Sequence, residues 1–412
     1  MNGRTIPTWI VAIIVIVVLQ TTSAYLGRLI PIAAPEFTRE FGWDGSWVGY
    51  LSAANVIGAL FILTAGIGTI KRMGGVLALQ IGLAIGAASL LLYLVPSLAV
   101  ALMASIIIGL NNGAANPAGS EVLQRFTPAA HRNFVFSIKQ AGVPLGGVIA
   151  GLTIPPLVNS LGWRMALVVA AIGSIAAVAL MLPFRSRIDP PREQRVGARL
   201  VSFRLSDIVL PLRSLSRAPT LWRISWVGCL LAIAQACWVT FAVTYLVVVL
   251  GLSLSVAGLV FAVMQATSVA GRVVLGWIAD HAASSTTTLA IASVGSALST
   301  IAFGWATPGW PVWAFVLLAA VAGFSVFGWN GVQIAEVARR SPPELVGECA
   351  AGAVILVFMS NMLAPVAFAT FVALTNRYDY AFFAAGAFSI VCLPLLYGID
   401  REREKSGPES GR

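Results

Sequence analysis

Three cationic side chains, Arg272, Lys139 and Arg28, fall inside long apolar runs of this chain. At the centre of a hydrocarbon layer a charge costs on the order of 2.5–3.5 kcal/mol by insertion scales, so each is expected to face a cavity or a partner. Arg272 stands eight residues before Asp280, about 12 Å along a helix. Lys139 lies inside the fifth run, and Arg28 near the far end of the first. No acid occupies the middle of a run; Glu121, Asp280, Glu336 and Glu348 all fall near run ends. Fixed positive charge without a buried carboxylate suits an anion, and a guanidinium suits a carboxylate head. Tyr25, Asn116, Gln140, Gln265, Trp238 and Asn330 are the polar and aromatic residues expected to shape a site around these cations. Polar residues between apolar helices also serve as interhelical hydrogen-bonding groups, which is the ordinary role for Gln20, Asn55, Asn112, Gln235 and Gln333.

Other chemistries find little to work with. Cys229, Cys237, Cys349 and Cys392 lie in apolar runs, with no CxxC pair and no Cys/His cluster. His131 and His281 both fall in loops. No metal site, cofactor or catalytic set is expected, since neither HExxH nor GxSxG occurs. The net charge of +10 could signal nucleic acid, but the basic residues cluster in connections on one side of the runs, the positive-inside pattern.

The elements that carry these residues follow from composition. Residues are 58% hydrophobic and only 10% charged, against roughly 25% charged in soluble domains. Apolar runs of about 20 residues match a hydrocarbon core of roughly 30 Å, where helices satisfy their own backbone groups. Twelve runs are read, at about 9–30, 45–69, 75–95, 98–123, 133–158, 163–184, 221–250, 254–279, 287–306, 310–337, 347–374 and 378–398. The first run is too long for a signal-peptide core. An arginine-rich connection, 185–220, separates a six-helix bundle at 1–184 from a second at 221–398, and a tail follows at 399–412. Within the connection an amphipathic piece near Leu200–Leu212 is expected to lie along the membrane surface. Arg4, Lys71, Arg72, Arg125, Arg132, the central arginines, Arg339, Arg340, Arg401, Arg403 and Lys405 share one side, against Arg39, Arg164 and Arg377 on the other. Both termini and the central connection are therefore expected in the cytoplasm, in a multi-pass protein of the cell membrane. Gly109, Asn116 and Glu121 return as Gly323, Asn330 and Glu336, and Trp9 and Gln20 as Trp222 and Gln235, at offsets of 213–215. The repeat implies duplication of a six-helix unit.

Six plus six helices about a basic middle connection resemble the major facilitator superfamily across nearly the whole chain. The sharpest likeness is Gly276-Trp277-Ile278-Ala279-Asp280-His281, similar to the family's G-x-x-x-D-(R/K) loop, with Arg272 four residues before the glycine. The resemblance implies that Gly276 lets helices approach closely and that Asp280 holds a gate against a neighbouring helix terminus. The matching first-half loop, Gly68 to Gly75, keeps Arg72 and Gly74 but carries Lys71 where the family usually has Asp. Glu121 and Glu336 join this gating set. Lys139-Gln140-Ala141-Gly142-Val143-Pro144 resembles the Gly/Pro-rich fifth helix of antiporters, while Ser105 stands where drug antiporters carry an intramembrane Arg. Arg272-x3-Gly276 is similar to monocarboxylate and oxalate/formate-type porters, and the Lys139 phrase to cyanate-permease-like members. The resemblance implies alternating-access transport of a small organic anion, a carboxylate foremost, by proton symport or exchange for a second anion, with the chain acting as a monomer and not as an enzyme. Multidrug or hydrophobic-compound efflux is the alternative.

Overall fold

The computed structural model describes residues 7–128, 131–189 and 206–405. Arg4, the 190–205 part of the central connection with Arg192, Arg195, Arg199 and Arg204, and the tail from 406 lie outside the described residues. Among the described residues all regular structure is helical. The chain divides into two compact units, Met1–Phe203 and Arg204–Arg412.

The first unit contains α1 (Thr8–Phe41), α2 (Trp47–Ala65), α3 (Ile67–Met73), α4 (Gly75–Ser89), α5 (Leu98–Phe126), α6 (Arg132–Met181) and α7 (Arg185–Ile188). The second contains α8 (Ser206–Leu215), α9 (Pro219–Thr244), α10 (Leu254–His281), α11 (Ser285–Gly304), α12 (Val312–Gly328), α13 (Asn330–Arg340), α14 (Val346–Thr375), α15 (Tyr378–Ile390) and α16 (Cys392–Lys405).

Eleven continuous helical stretches among the described residues are long and apolar enough to cross a membrane. One of them, Phe134–Ile188, has 55 residues, roughly 80 Å of helix against a core of roughly 30 Å. It breaks at Gly162, whose φ of 78° and ψ of 157° are non-helical, a conformation open to glycine for want of a Cβ. Beside the break, Trp163 and Arg164 both donate to Glu40 at the far end of α1. At the end of the stretch, the Ile188 carbonyl accepts from Arg125, near the end of α5 and the short connection into α6. The stretch thus leaves one end of the unit, turns at Gly162 and returns, making two spans. With that stretch counted as two, the described residues hold twelve spans, the number the sequence pattern implies.

The repeat reappears in packing. At Gly109 on α5 a Cβ would collide with the Asn55 carbonyl oxygen of α2, and at Gly323 on α12 one would collide with the Met264 carbonyl oxygen of α10. Both glycines let backbones touch where no hydrophobic drive between helices exists. The short helix α8 packs on α14 rather than standing apart: the Pro211 carbonyl abuts Gly352, and the Ser214 hydroxyl donates to Glu348 at 2.7 Å.

Candidate functional site

In the first unit, α5 presents Asn116, Gly119 and Ser120, which at i, i+3 and i+4 share one helical face. Lys139 of α6 reaches this face and is 2% exposed. Its ammonium donates to the Asn116 carbonyl at 3.0 Å, the Asn116 side-chain oxygen at 3.0 Å and the Ser120 hydroxyl at 2.7 Å. Among the described residues no carboxylate pairs with it. Gln20 of α1 lies across Gly119: a Cβ there would sit 3.1 Å from Lys139 Cε and 3.6 Å from Gln20 Oε1. Gln20 is 1% exposed, and both its amide atoms lack a hydrogen-bond partner.

The other first-unit candidates are placed elsewhere. Tyr25 lies beside Thr153 of α6, and Arg28 is half-buried on α1, two turns beyond Gln20. Gln140 is exposed beside Lys139 and is not one of its partners. Asn55 and Asn112 form a ladder: Asn111 donates to Ser23 at 2.9 Å, Ser23 to Asn112 at 3.1 Å, and Asn112 to Asn55 at 3.2 Å. This polar chain ties α1, α5 and α2 together.

In the second unit, the step from α12 to α13 at Trp329 frees the Phe327 carbonyl. It accepts from Asn330 Nδ2 at 3.2 Å and, at a long 3.4 Å, from Arg272 Nε on α10. A cation at the carbonyl end of a helix is favoured by the helix dipole. Neither Nη of Arg272 has a partner among the described residues, so its planar donor fork remains available. Asn330 Nδ2 also donates to Gln235 Oε1 at 3.2 Å. Gln265, seven residues before Arg272, shares its face of α10 and is buried. Trp238 is not part of this group. It stacks on Phe303 at 4.1 Å between centroids and donates to Thr300 at 3.0 Å, which makes it a packing residue joining α9 and α11.

The gating loops also differ from expectation. Within its unit Gly276 has open space where a Cβ would go, and the close approach on α10 occurs at Gly271 against Phe324 instead. Asp280 is exposed, with no ion pair among the described residues. Lys71 and Arg72 are exposed in the last turn of α3. The acid missing from their loop arrives from Asp189, 8% exposed. Its carboxylate accepts from the backbone N–H groups of Val76 at 3.0 Å and Leu77 at 2.9 Å. It thereby caps α4, whose own N-cap residue, Gly74, carries no side chain. Gly74 has φ 91°, and a Cβ on it would sit 2.7 Å from the Asp189 carboxyl carbon. Sequence reasoning missed Asp189; its signal was the first acid of the arginine-rich connection, soon after Arg185 and Arg187. Glu121 pairs with Arg125 at 3.1 Å. Glu336 is 1% exposed and accepts from Arg339 at 2.6 Å and Arg340 at 2.5 Å.

A family model described as Major Facilitator Superfamily matches residues 12–365. An uncharacterised MFS-type transporter of Mycobacterium tuberculosis is 25% identical over 70% of this chain, and the match spans 62% of that relative's length. A probable sulfoacetate transporter of Cupriavidus necator is 25% identical over 93% of this chain and 94% of its own. Among solved structures, a bacterial homologue of the human lysosomal transporter Spinster, inward-facing and occupied, superposes with a TM-score of 0.77 at 15% identity, covering 96% of this chain and 98% of that one.

Proposed function

The chain belongs to the Major Facilitator Superfamily, and we propose that it is a secondary active transporter of a small organic anion, a carboxylate foremost. The observation that carries this reading is uncompensated positive charge inside spans: Lys139 and Arg272 hydrogen-bond only neutral oxygens. Burying a cation without an acid is costly, and an entering anion supplies the missing partner. Full-length similarity to a probable sulfoacetate transporter supports the same class.

In this reading Arg272 grips the anionic head through its two-pronged donor fork. In the first unit Lys139 and Arg28 supply positive charge beside Tyr25, Asn116 and Gln140; in the second, Gln265 and Asn330 accompany Arg272. Lys71, Arg72, Gly74 and Glu121 in the first unit, and Gly276, Asp280 and Glu336 in the second, are the residues given to gating. No mid-span acid is present to carry a proton, so coupling runs through symport of a proton with the substrate or through exchange for a second anion. The protein works as a monomer in the cell membrane with both termini cytoplasmic.

The test is counterflow in proteoliposomes with labelled small carboxylates and sulfonates, wild type beside Arg272→Gln. Uptake of one anion by wild type and its loss in the folded variant is the expected result. A wild type that moves none of them, yet confers resistance to hydrophobic compounds, would overturn the reading in favour of efflux.

A further inference from the structure

The duplicated Gln–Asn pair is made in one unit and unmade in the other. Gln235 and Asn330 hydrogen-bond each other at 3.2 Å. Their counterparts, 215 and 214 residues earlier, are Gln20 and Asn116. There the Asn116 side-chain oxygen accepts from Lys139, and both amide atoms of Gln20 are left without partners. Buried amide atoms are rarely left so, because desolvation is then uncompensated.

The cause lies on α6. Ser360-Asn361 and Pro365 of α14 stand 221 residues after Lys139-Gln140 and Pro144. Aligned on Pro144 and Pro365, the neutral Ser360, engaged with Cys229 at 3.0 Å, corresponds to Lys139 in the second unit. A lysine ammonium has three protons, and all three are taken up by Asn116 and Ser120. An anion can gain an N–H from Lys139 only by displacing one of these acceptors.

We propose that Gln20 is the positioning residue that receives Asn116 when Lys139 turns to an anion. The Asn116 side chain leaves the ammonium and pairs with Gln20, as Asn330 pairs with Gln235. The exchange satisfies an amide that is otherwise stranded and frees one N–H for the ligand. This rests on Lys139 being an anion site, as proposed above.

The first test leaves transport aside: the structure of the full-length Lys139→Ser variant, which copies the second unit. A Gln20–Asn116 hydrogen bond within 3.5 Å is expected; a Gln20 amide still unpartnered would overturn the exchange. The second is a double-mutant cycle in counterflow with labelled sulfoacetate, oxalate and pyruvate. Gln20→Met should raise KM by about 3–10-fold, the scale of one neutral hydrogen bond, with kcat little changed. In the Asn116→Ala background the same substitution should change KM less than about twofold. A penalty that persists there overturns the exchange while leaving the anion site intact. If Lys139→Ser forms the Gln20–Asn116 bond but moves all three anions as wild type does, the anion reading of Lys139 fails, and the coupling to ligand fails with it.

Discussion

The two buried cations are held in contrasting ways. Lys139 is saturated, its three protons taken by acceptors on a neighbouring helix. Arg272 spends one long hydrogen bond on the Phe327 carbonyl and keeps its fork. A compact ammonium can be parked by neutral oxygens, whereas a rigid planar guanidinium presents a shape that one carbonyl cannot satisfy. In the proposed transport cycle this difference is why Arg272 is given the grip on a ligand and Lys139 the charge that becomes available when its acceptors move.

Replacement of the fork should break this contrast most strongly. Arg272→Gln is expected to lower kcat/KM for the transported anion by about 100–1,000-fold, the scale of two charge-assisted hydrogen bonds. Arg272→Lys should recover little of it, because a point charge does not reproduce the two-pronged geometry. Lys139→Gln should cost less, about 10–100-fold in the same counterflow assay. It should also raise the melting temperature of the detergent-purified protein by a few degrees, since a buried charge without an acid is removed. A Lys139→Gln protein that is less stable would show the ammonium to be a structural tie.

The gating loops provide a second contrast. Gly74 is the N-cap of α4, and the N–H of Val76 just after it is served by Asp189 from 113 residues away; Asp280 carries its own carboxylate in the last turn of α10 and leaves it exposed. Asp189→Ala should destabilise the protein by about 0.5–2 kcal/mol, the cost of a lost helix cap, read as a lower melting temperature. Asp189→Asn should retain part of that. Asp280→Asn should change stability by less than about 0.5 kcal/mol, as for an exposed group without partners. A large stability loss on Asp280→Asn would erase the contrast.

What the sequence made legible was whatever depends on solvent and period. Apolar run length sets the spans, and the absence of mid-span acids beside Arg272 and Lys139 is where the proposal of an anion substrate starts. The offsets joining Gln20 to Gln235 and Asn116 to Asn330 expose the repeat. The sequence grouped Trp238 with the site residues because an indole suits a cavity wall and an aromatic core equally well; only the structure shows it stacked on Phe303. Gly276 was misread because a motif gives spacing, while close approach depends on which face of α10 meets α12, and that face carries Gly271.

Tertiary structure alone decided the partners. Rotation of α6 against α5 gives Lys139 the oxygens of Asn116 and Ser120 and strands Gln20. The return of the chain after Gly162 brings Asp189 to the start of α4. Such contacts join residues about 20 to more than 100 positions apart. Hydropathy determines that a helix crosses the bilayer, but lipid is indifferent to which polar groups meet inside; helix rotation and backbone packing settle that.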